Sequence, residues 1–262
     1  MTLIAAGLSL GYGRRPVVAD VDLAFEPGRL TVIIGPNGSG KSTLLRGLSG
    51  LLRPSDGSVR MQGREISRLS PPVLARMRAL LPQAPLPPEG LSVRELVARG
   101  RHPHRGVLAP WSARDGEVVD DALTRVDLLH LADAPIESLS GGQRQRAWIA
   151  LVLAQEAGIV LLDEPTTYLD LAHAVDVLVA VRRVAAQGRT VVAVLHDLTL
   201  AARFADRIVV MAEGRVVAAG APQQIFADDL LQEVFGLSAR VVEVEGAPVV
   251  VPLDVPAEVD RI

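Results

Sequence analysis

The chain has 262 residues, 49% of them hydrophobic and 22% charged, with 27 basic against 30 acidic side chains. That length suits one large α/β domain or two small ones, the apolar fraction argues against a disordered chain, and a formal net charge of −3 argues against a polybasic nucleic-acid binder. No apolar run reaches the ~18–20 residues of a membrane span, no basic and apolar leader opens the sequence, and the absence of cysteine excludes disulfides, thiol catalysis and thiolate metal ligands, so a soluble, cytoplasmic protein is expected.

Residues 3–10 and 17–25 alternate apolar and polar side chains loosely (Val17, Ala19, Val21, Leu23, Phe25), which predicts half-buried strands. The run from Leu30 to Ile34 is instead continuously β-branched, the pattern of a strand buried on both faces. Directly after it stand Gly35, Pro36, Asn37, Gly38, Ser39, Gly40, Lys41 and Ser42, and Thr43 opens a helical stretch. This is G-x-x-x-x-G-K-[ST] between a strand and a helix, the context that a phosphate-binding loop requires. Its glycines let backbone N–H groups wrap an anionic phosphate chain at the positive end of a helix dipole. In that reading Lys41 reaches the β- and γ-phosphates and the Ser42 hydroxyl binds Mg²⁺. All the basic residues but one are arginine, and the exception is Lys41, which makes it a candidate for chemistry needing a compact ammonium rather than a planar guanidinium.

The middle of the chain, about 84–153, begins with a Pro-rich loop at Ala84 and shows helical patterns without a comparable strand run, which predicts a helical subdomain inserted into an α/β core. Buried-strand runs return at 158–162, 189–195 and 207–211. The last leads through Glu213-Gly214, a hairpin turn, into 215–219. A helix over 172–187 is closed by Gly188. Strands alternating with helices predict a mainly parallel sheet covered on both faces. A small hairpin is expected over 240–251 and a weakly ordered tail over 253–262. The run 159–162 ends in Asp163 and Glu164 at the edge where α/β sheets place ligands. Asp163 fits a metal anchor, and Glu164, pointing elsewhere, fits a general base for an attacking water. The strand over 189–195 ends at His196, at the same edge.

The segment Leu139-Ser140-Gly141-Gly142-Gln143 has no purpose in a generic P-loop kinase or GTPase. It resembles the signature motif of ATP-binding cassette (ABC) ATPases, and about residues 3–235 resemble that family in motif order and spacing. The resemblance implies a P-loop NTPase of the ABC ATPase fold, with an antiparallel β subdomain and an inserted helical subdomain, as a single domain over 1–252. It implies that Tyr12 stacks on adenine, that Gln83 contacts Mg²⁺ and links nucleotide to a membrane partner, and that Asp163 and Glu164 are the Walker B aspartate and catalytic glutamate. Tyr168-Leu169-Asp170 resembles the D-loop, with Tyr where many relatives carry a small residue, and His196 the switch histidine.

The physical reading of the signature agrees. Ser140, Gly141 and Gly142 opening a helix make a second nest of N–H donors, superfluous beside a complete P-loop unless it caps the γ-phosphate held by a second copy. Two copies sandwiching two ATP molecules are therefore expected. One cassette without a membrane span implies separate permease subunits, engaged through the region after Gln83, and, indirectly, a substrate-binding protein. The segments Ala98–His104 and Asp163–His173 resemble importers of iron–siderophore, haem and cobalamin complexes, which implies a peripheral protein on the cytoplasmic face of the membrane. His102 and His104 lack further metal ligands nearby and read as a solvated or permease-facing loop. An ABC importer ATPase for another small solute or metal ion is the alternative within the family, and from other classes a soluble non-transport ABC ATPase and a non-catalytic module are the rival readings. Neither is favoured by a slightly acidic single cassette that keeps Lys41, Glu164 and His196.

Overall fold

The first two alternating runs pair as an antiparallel hairpin of β1 (Leu3–Tyr12) and β2 (Arg15–Phe25), and their buried faces are apolar. The computed structural model describes residues 1–13, 15–83, 89–105, 110–167 and 169–253; the Pro-rich stretch at 84–88, Tyr168 and the expected tail from 254 lie outside the described residues. The continuous run forms β3 (Leu30–Ile34), all of it buried, and the glycine-rich turn delivers the chain into α1 (Lys41–Ser49). There follow β4 (Asp56–Met61), β5 (Arg64–Glu65), α2 (Pro71–Met77) and β6 (Arg78–Leu81).

Next come α3 (Val93–Ala98), a 3₁₀ segment over Arg99–His104, α4 (Ala113–Arg125) and α5 (Gly141–Ala154). Each of these α-helices starts with the same device. Ser92, Ser112 and Ser140 cap the helices, and Glu95, Asp115 and Gln143 reach back to the cap N–H groups. Beyond them lie β7 (Ile159–Asp163), α6 (Leu171–Ala186), β8 (Thr190–Val194), α7 (Leu198–Phe204), β9 (Arg207–Ala212) and β10 (Arg215–Gly220). The chain continues through α8 (Pro222–Ile225) and α9 (Asp228–Phe235) to a hairpin of β11 (Ala239–Val244) and β12 (Ala247–Pro252).

The central sheet has the order β10-β9-β3-β8-β7-β6, parallel except for β10, and a second, antiparallel sheet has the order β2-β1-β4-β5. Successive residues of the central strands feed opposite apolar layers. Val32, Ile34, Val191, Ala193, Ile208 and Val210 pack on the side of α3–α6. Ile33, Val192, Val194, Val209 and Met211 pack toward α1 and the antiparallel sheet. The order also brings β3, β8 and β7 side by side, with Ile33 and Asp163 both registered on Val194. The loops after these three strands therefore open at one edge of the sheet.

Candidate active site

The turn after β3 can be built only with glycine at its first position. A Cβ on Gly35 would lie 2.1 Å from the Met211 carbonyl oxygen. Gly40, at the N-cap of α1, holds φ at +98°, a left-handed conformation that side chains disfavour. The Gly214 N–H in the β9–β10 turn donates to the Ser39 carbonyl at 3.1 Å and ties the loop to the sheet. Lys41 is 6% exposed, and its Nζ donates to the Gly35 and Pro36 carbonyls at 2.8 Å each. Burial pulls this ammonium below its ordinary range, and the Glu164 and Asp163 charges oppose that only in part.

From β7, with β8 between it and β3, Asp163 accepts a 2.9 Å hydrogen bond from Ser42 Oγ. It is 4% exposed, and burial pushes its carboxyl above the ordinary range; the Ser42 hydroxyl pulls the other way and the Glu164 charge adds to the rise. Glu164 leaves the strand with φ at +54°, left-handed for a non-glycine residue, and its N–H donates to the Val194 carbonyl at 3.2 Å. Its side chain thereby turns away from that of Asp163 into a ring of partners. Gln83 Nε2 donates to Oε2 at 2.7 Å, Thr167 Oγ1 donates to Oε2 at 3.1 Å, and His196 Nε2 lies 2.6 Å from Oε1. Burial alone would push the Glu164 carboxyl up, but the His196 and Gln83 hydrogen bonds outweigh it and hold the group below its ordinary range.

A cleft of about 200 Å³ opens over these groups, lined by Asn37, Gly38, Gly40–Thr43, Glu164 and His196. Its floor offers an ammonium and a helix N-terminus for an anion, with a hydroxyl and a carboxylate beside them for a hard cation. Among the described residues no group of three or more His, Cys, Asp or Glu could hold a metal ion alone. A donor set this small suits Mg²⁺ held jointly with phosphate oxygens.

The other expected residues lie around this centre. Tyr12, at the end of β1, is 48% exposed and accepts a 2.9 Å hydrogen bond from Arg46 Nη1. Asp170 caps α6 and accepts from the backbone N–H of His173, whose ring Nδ1 lies 2.8 Å away. Ser140–Gln143 are absent from the cleft lining. The Ser140 hydroxyl is a helix cap within its own chain, accepting from the Gln143 N–H at 3.2 Å. The two glycines behind it differ. A Cβ on Gly142 would press on Leu169 at 3.3 Å, whereas one on Gly141 would meet nothing within 4 Å. His102 is exposed, and His104 Nε2 lies 2.7 Å from the Gln155 carbonyl.

Two residues of the site escape a reading of the sequence. Thr167 is one of Glu164's donors, and its signal is the three-residue spacing beyond the carboxylate. Gln145, on α5, donates to the Pro165 carbonyl at 3.0 Å and joins the helix that starts at the signature to the loop after Glu164. No local pattern announces it.

The family model described as ABC transporter matches residues 18–167. The ferric enterobactin transport ATP-binding protein FepC of Escherichia coli (strain K12) is 45% identical over 249 residues, covering 94% of this chain and 92% of that protein. The hemin import ATP-binding protein HmuV of Rhodopseudomonas palustris is 44% identical over 259 residues, covering 95% of this chain and 94% of that protein. A solved dimeric structure of an ATP-binding cassette in a post-hydrolysis state, bound to ADP and Pi, matches with a TM-score of 0.74 and 26% identity over 84% of this chain and 98% of that one.

Proposed function

This chain belongs to the ABC transporter family, and from that premise we propose that it binds and hydrolyses ATP to drive import of an iron–siderophore or haem complex, the cargo classes that its relatives' names give for them. The observation that carries the hydrolytic part is the convergence of Gln83, Thr167 and His196 on one carboxylate, Glu164, at the mouth of the phosphate-loop cleft.

Lys41 exchanges its two carbonyl acceptors for β- and γ-phosphate oxygens, and the N–H groups at the start of α1 wrap the same oxygens. Ser42, Asp163 and Gln83 would hold Mg²⁺, which when bound would neutralise phosphate charge. Tyr12 supports the adenine. Glu164 takes the proton of the attacking water. It is held ionised, so it acts first by orienting that water, and its proton affinity rises when Gln83 or His196 releases it. His196 reaches from Glu164 toward the γ-phosphate.

Two copies close on two ATP molecules, with Ser140–Gln143 and the D-loop around Asp170 of each facing the nucleotide of the other. The open space around Gly141 supports this reading: its own chain does not require a glycine there, and a phosphate brought by a second copy does. No helix among the described residues is long and apolar enough to cross a membrane. Separate permease subunits engage the chain after Gln83 at the cytoplasmic face, and a substrate-binding protein delivers the cargo.

Glu164→Gln tests the assignment. It keeps the side chain's volume and removes its basicity. MgATP binding should match the wild type while hydrolysis falls by ~10²-fold or more. Trapped ATP should then yield a dimer on a sizing column with MgATP that is lost with MgADP. Hydrolysis within a few-fold of wild type would place water activation elsewhere, with His196 the next group to test.

A further inference from the structure

We infer that Arg101 is a positioning residue for the composite site: it sets where α5 sits along its own axis, and with it the Ser140–Gln143 end of that helix. The inference rests on the reading that two copies close on ATP.

Arg101 is 3% exposed, in the 3₁₀ segment Arg99–His104. Its Nε donates to Asp115 Oδ1 at 2.9 Å, and its Nη1 to the Ala154 carbonyl at 2.8 Å and to Glu156 Oε2 at 2.7 Å. Asp115 is fixed in turn by the Ser112 hydroxyl at 2.6 Å, at the N-cap of α4. One guanidinium thus binds the start of α4 to the last residue of α5 and to the turn beyond it. The neighbouring contacts grip the same end. A Cβ on Gly100 would lie 2.4 Å from the Leu151 carbonyl, so the segment touches the backbone of α5. Gln155 Nε2 donates to the Ala75 and Arg78 carbonyls at 2.6 and 2.9 Å, where α2 passes into β6.

Along the rest of α5 the buried side chains Ala147, Ile149, Ala150, Val152 and Leu153 are apolar, and the directional bonds are single neutral-acceptor ones, Gln145 Nε2 to the Pro165 carbonyl at 3.0 Å and Arg146 Nη1 to the Val126 carbonyl at 3.2 Å. Apolar contact of this kind is non-directional and by itself specifies axial register less sharply than hydrogen bonds do. Directional bonds to a buried charge fix register, the best-attested use of buried ionic groups. The helix is a rod of 14 residues, about 20 Å long. A shift at its clamped end therefore appears undiminished at Ser140–Gln143, and at Gln145, which holds the loop after Glu164.

The experiment uses the full chain carrying Glu164→Gln, with and without the pair Arg101→Met and Asp115→Asn. Removing Arg101 alone strands a buried carboxylate, whereas removing both charges keeps the fold. We expect cooperative thermal unfolding within a few degrees of the parent and MgATP affinity within two-fold. The protein concentration at half-dimerisation should rise at least ten-fold. With Glu164 restored, kcat should fall about as much while KM changes less than three-fold. A purely structural role would lower unfolding temperature and ATP affinity together, and that result, or unchanged dimerisation, overturns the proposal. If the pair variant does not fold, Glu156→Ala, whose side chain is 30% exposed, should shift the midpoint about three-fold, and no shift overturns it. A Glu164→Gln parent that never dimerises overturns the composite site and this inference with it. A parent that dimerises no better than its pair variant overturns the role of Arg101 alone.

Discussion

Lys41 carries the sharpest prediction at the scale of single residues. Among the described residues its ammonium is the one charged donor that reaches the Gly35 and Pro36 carbonyls at the phosphate loop, and no other lysine exists in the sequence to replace it. Lys41→Ala should leave the fold intact, since the lost bonds are to a loop held separately by Gly35 and Gly214, yet cut turnover by ~10²-fold or more. Circular dichroism with a steady-state ATPase assay checks both halves, and near-wild-type turnover would remove Lys41 from the chemistry. The residues that touch the phosphate loop were legible because their spacing is local: eight consecutive positions encode turn, cradle and cation ligand. Gln145 was not, because its partner Pro165 lies twenty residues on and is met only by tertiary approach, and Thr167 was not, because a hydroxyl three residues past a carboxylate reads as an ordinary turn. Arg101 was hidden for a further reason: in a chain whose basic residues are almost all arginine, sequence cannot distinguish the buried one.

Among elements, α5 separates folding from assembly. Its first residue, Gly141, has room for a side chain within its own chain, so Gly141→Leu should unfold at a temperature close to wild type and bind MgATP normally. It should abolish ATP-dependent dimerisation and turnover, because in the proposed composite site the new side chain would stand where the second copy's phosphate goes. Light scattering with MgATP checks this, and a normal dimer would contradict it. The buried strands β3, β7, β8 and β9 were readable as apolar runs, and the β9–β10 and β11–β12 turns as Glu-Gly pairs, where Glu213 and Glu245 take positive φ. β4 and β5 escaped notice although their turn, Gln62-Gly63, has the same geometry, because flanking arginines blur the alternation. The four-residue β6 escaped because α2 runs directly into it, leaving no break residue between helix and strand.

At the scale of the molecule, the period of two in the central strands does more than fill a core. It divides the apolar side chains between a layer under the antiparallel sheet and a layer under α3–α6, so α1, which follows the phosphate loop, and α5, which follows the signature, rest on opposite faces of one sheet. Mainly parallel architecture was therefore legible from continuous β-branched runs, whereas the antiparallel sheet's four-strand order depends on long-range pairing that no local window contains. Expressed with the genes beside its own, the chain should co-purify in mild detergent with a multi-span permease, and that complex should hydrolyse ATP faster when supplied with the loaded binding protein. Recovery of the chain alone, or with ribosomes or DNA, would count against the transport reading.

The lone, buried Lys41 also makes the molecule a reporter on its own motions. An endoprotease that cuts after lysine has one target bond, Lys41–Ser42, where α1 begins and where Lys41 is 6% exposed. Cleavage must wait for the loop to open, so the rate at which the chain splits into residues 1–41 and 42–262 measures that opening directly. Any nucleotide that binds only the closed loop should slow the cut in proportion to its occupancy. A single band on a gel then becomes a titration curve.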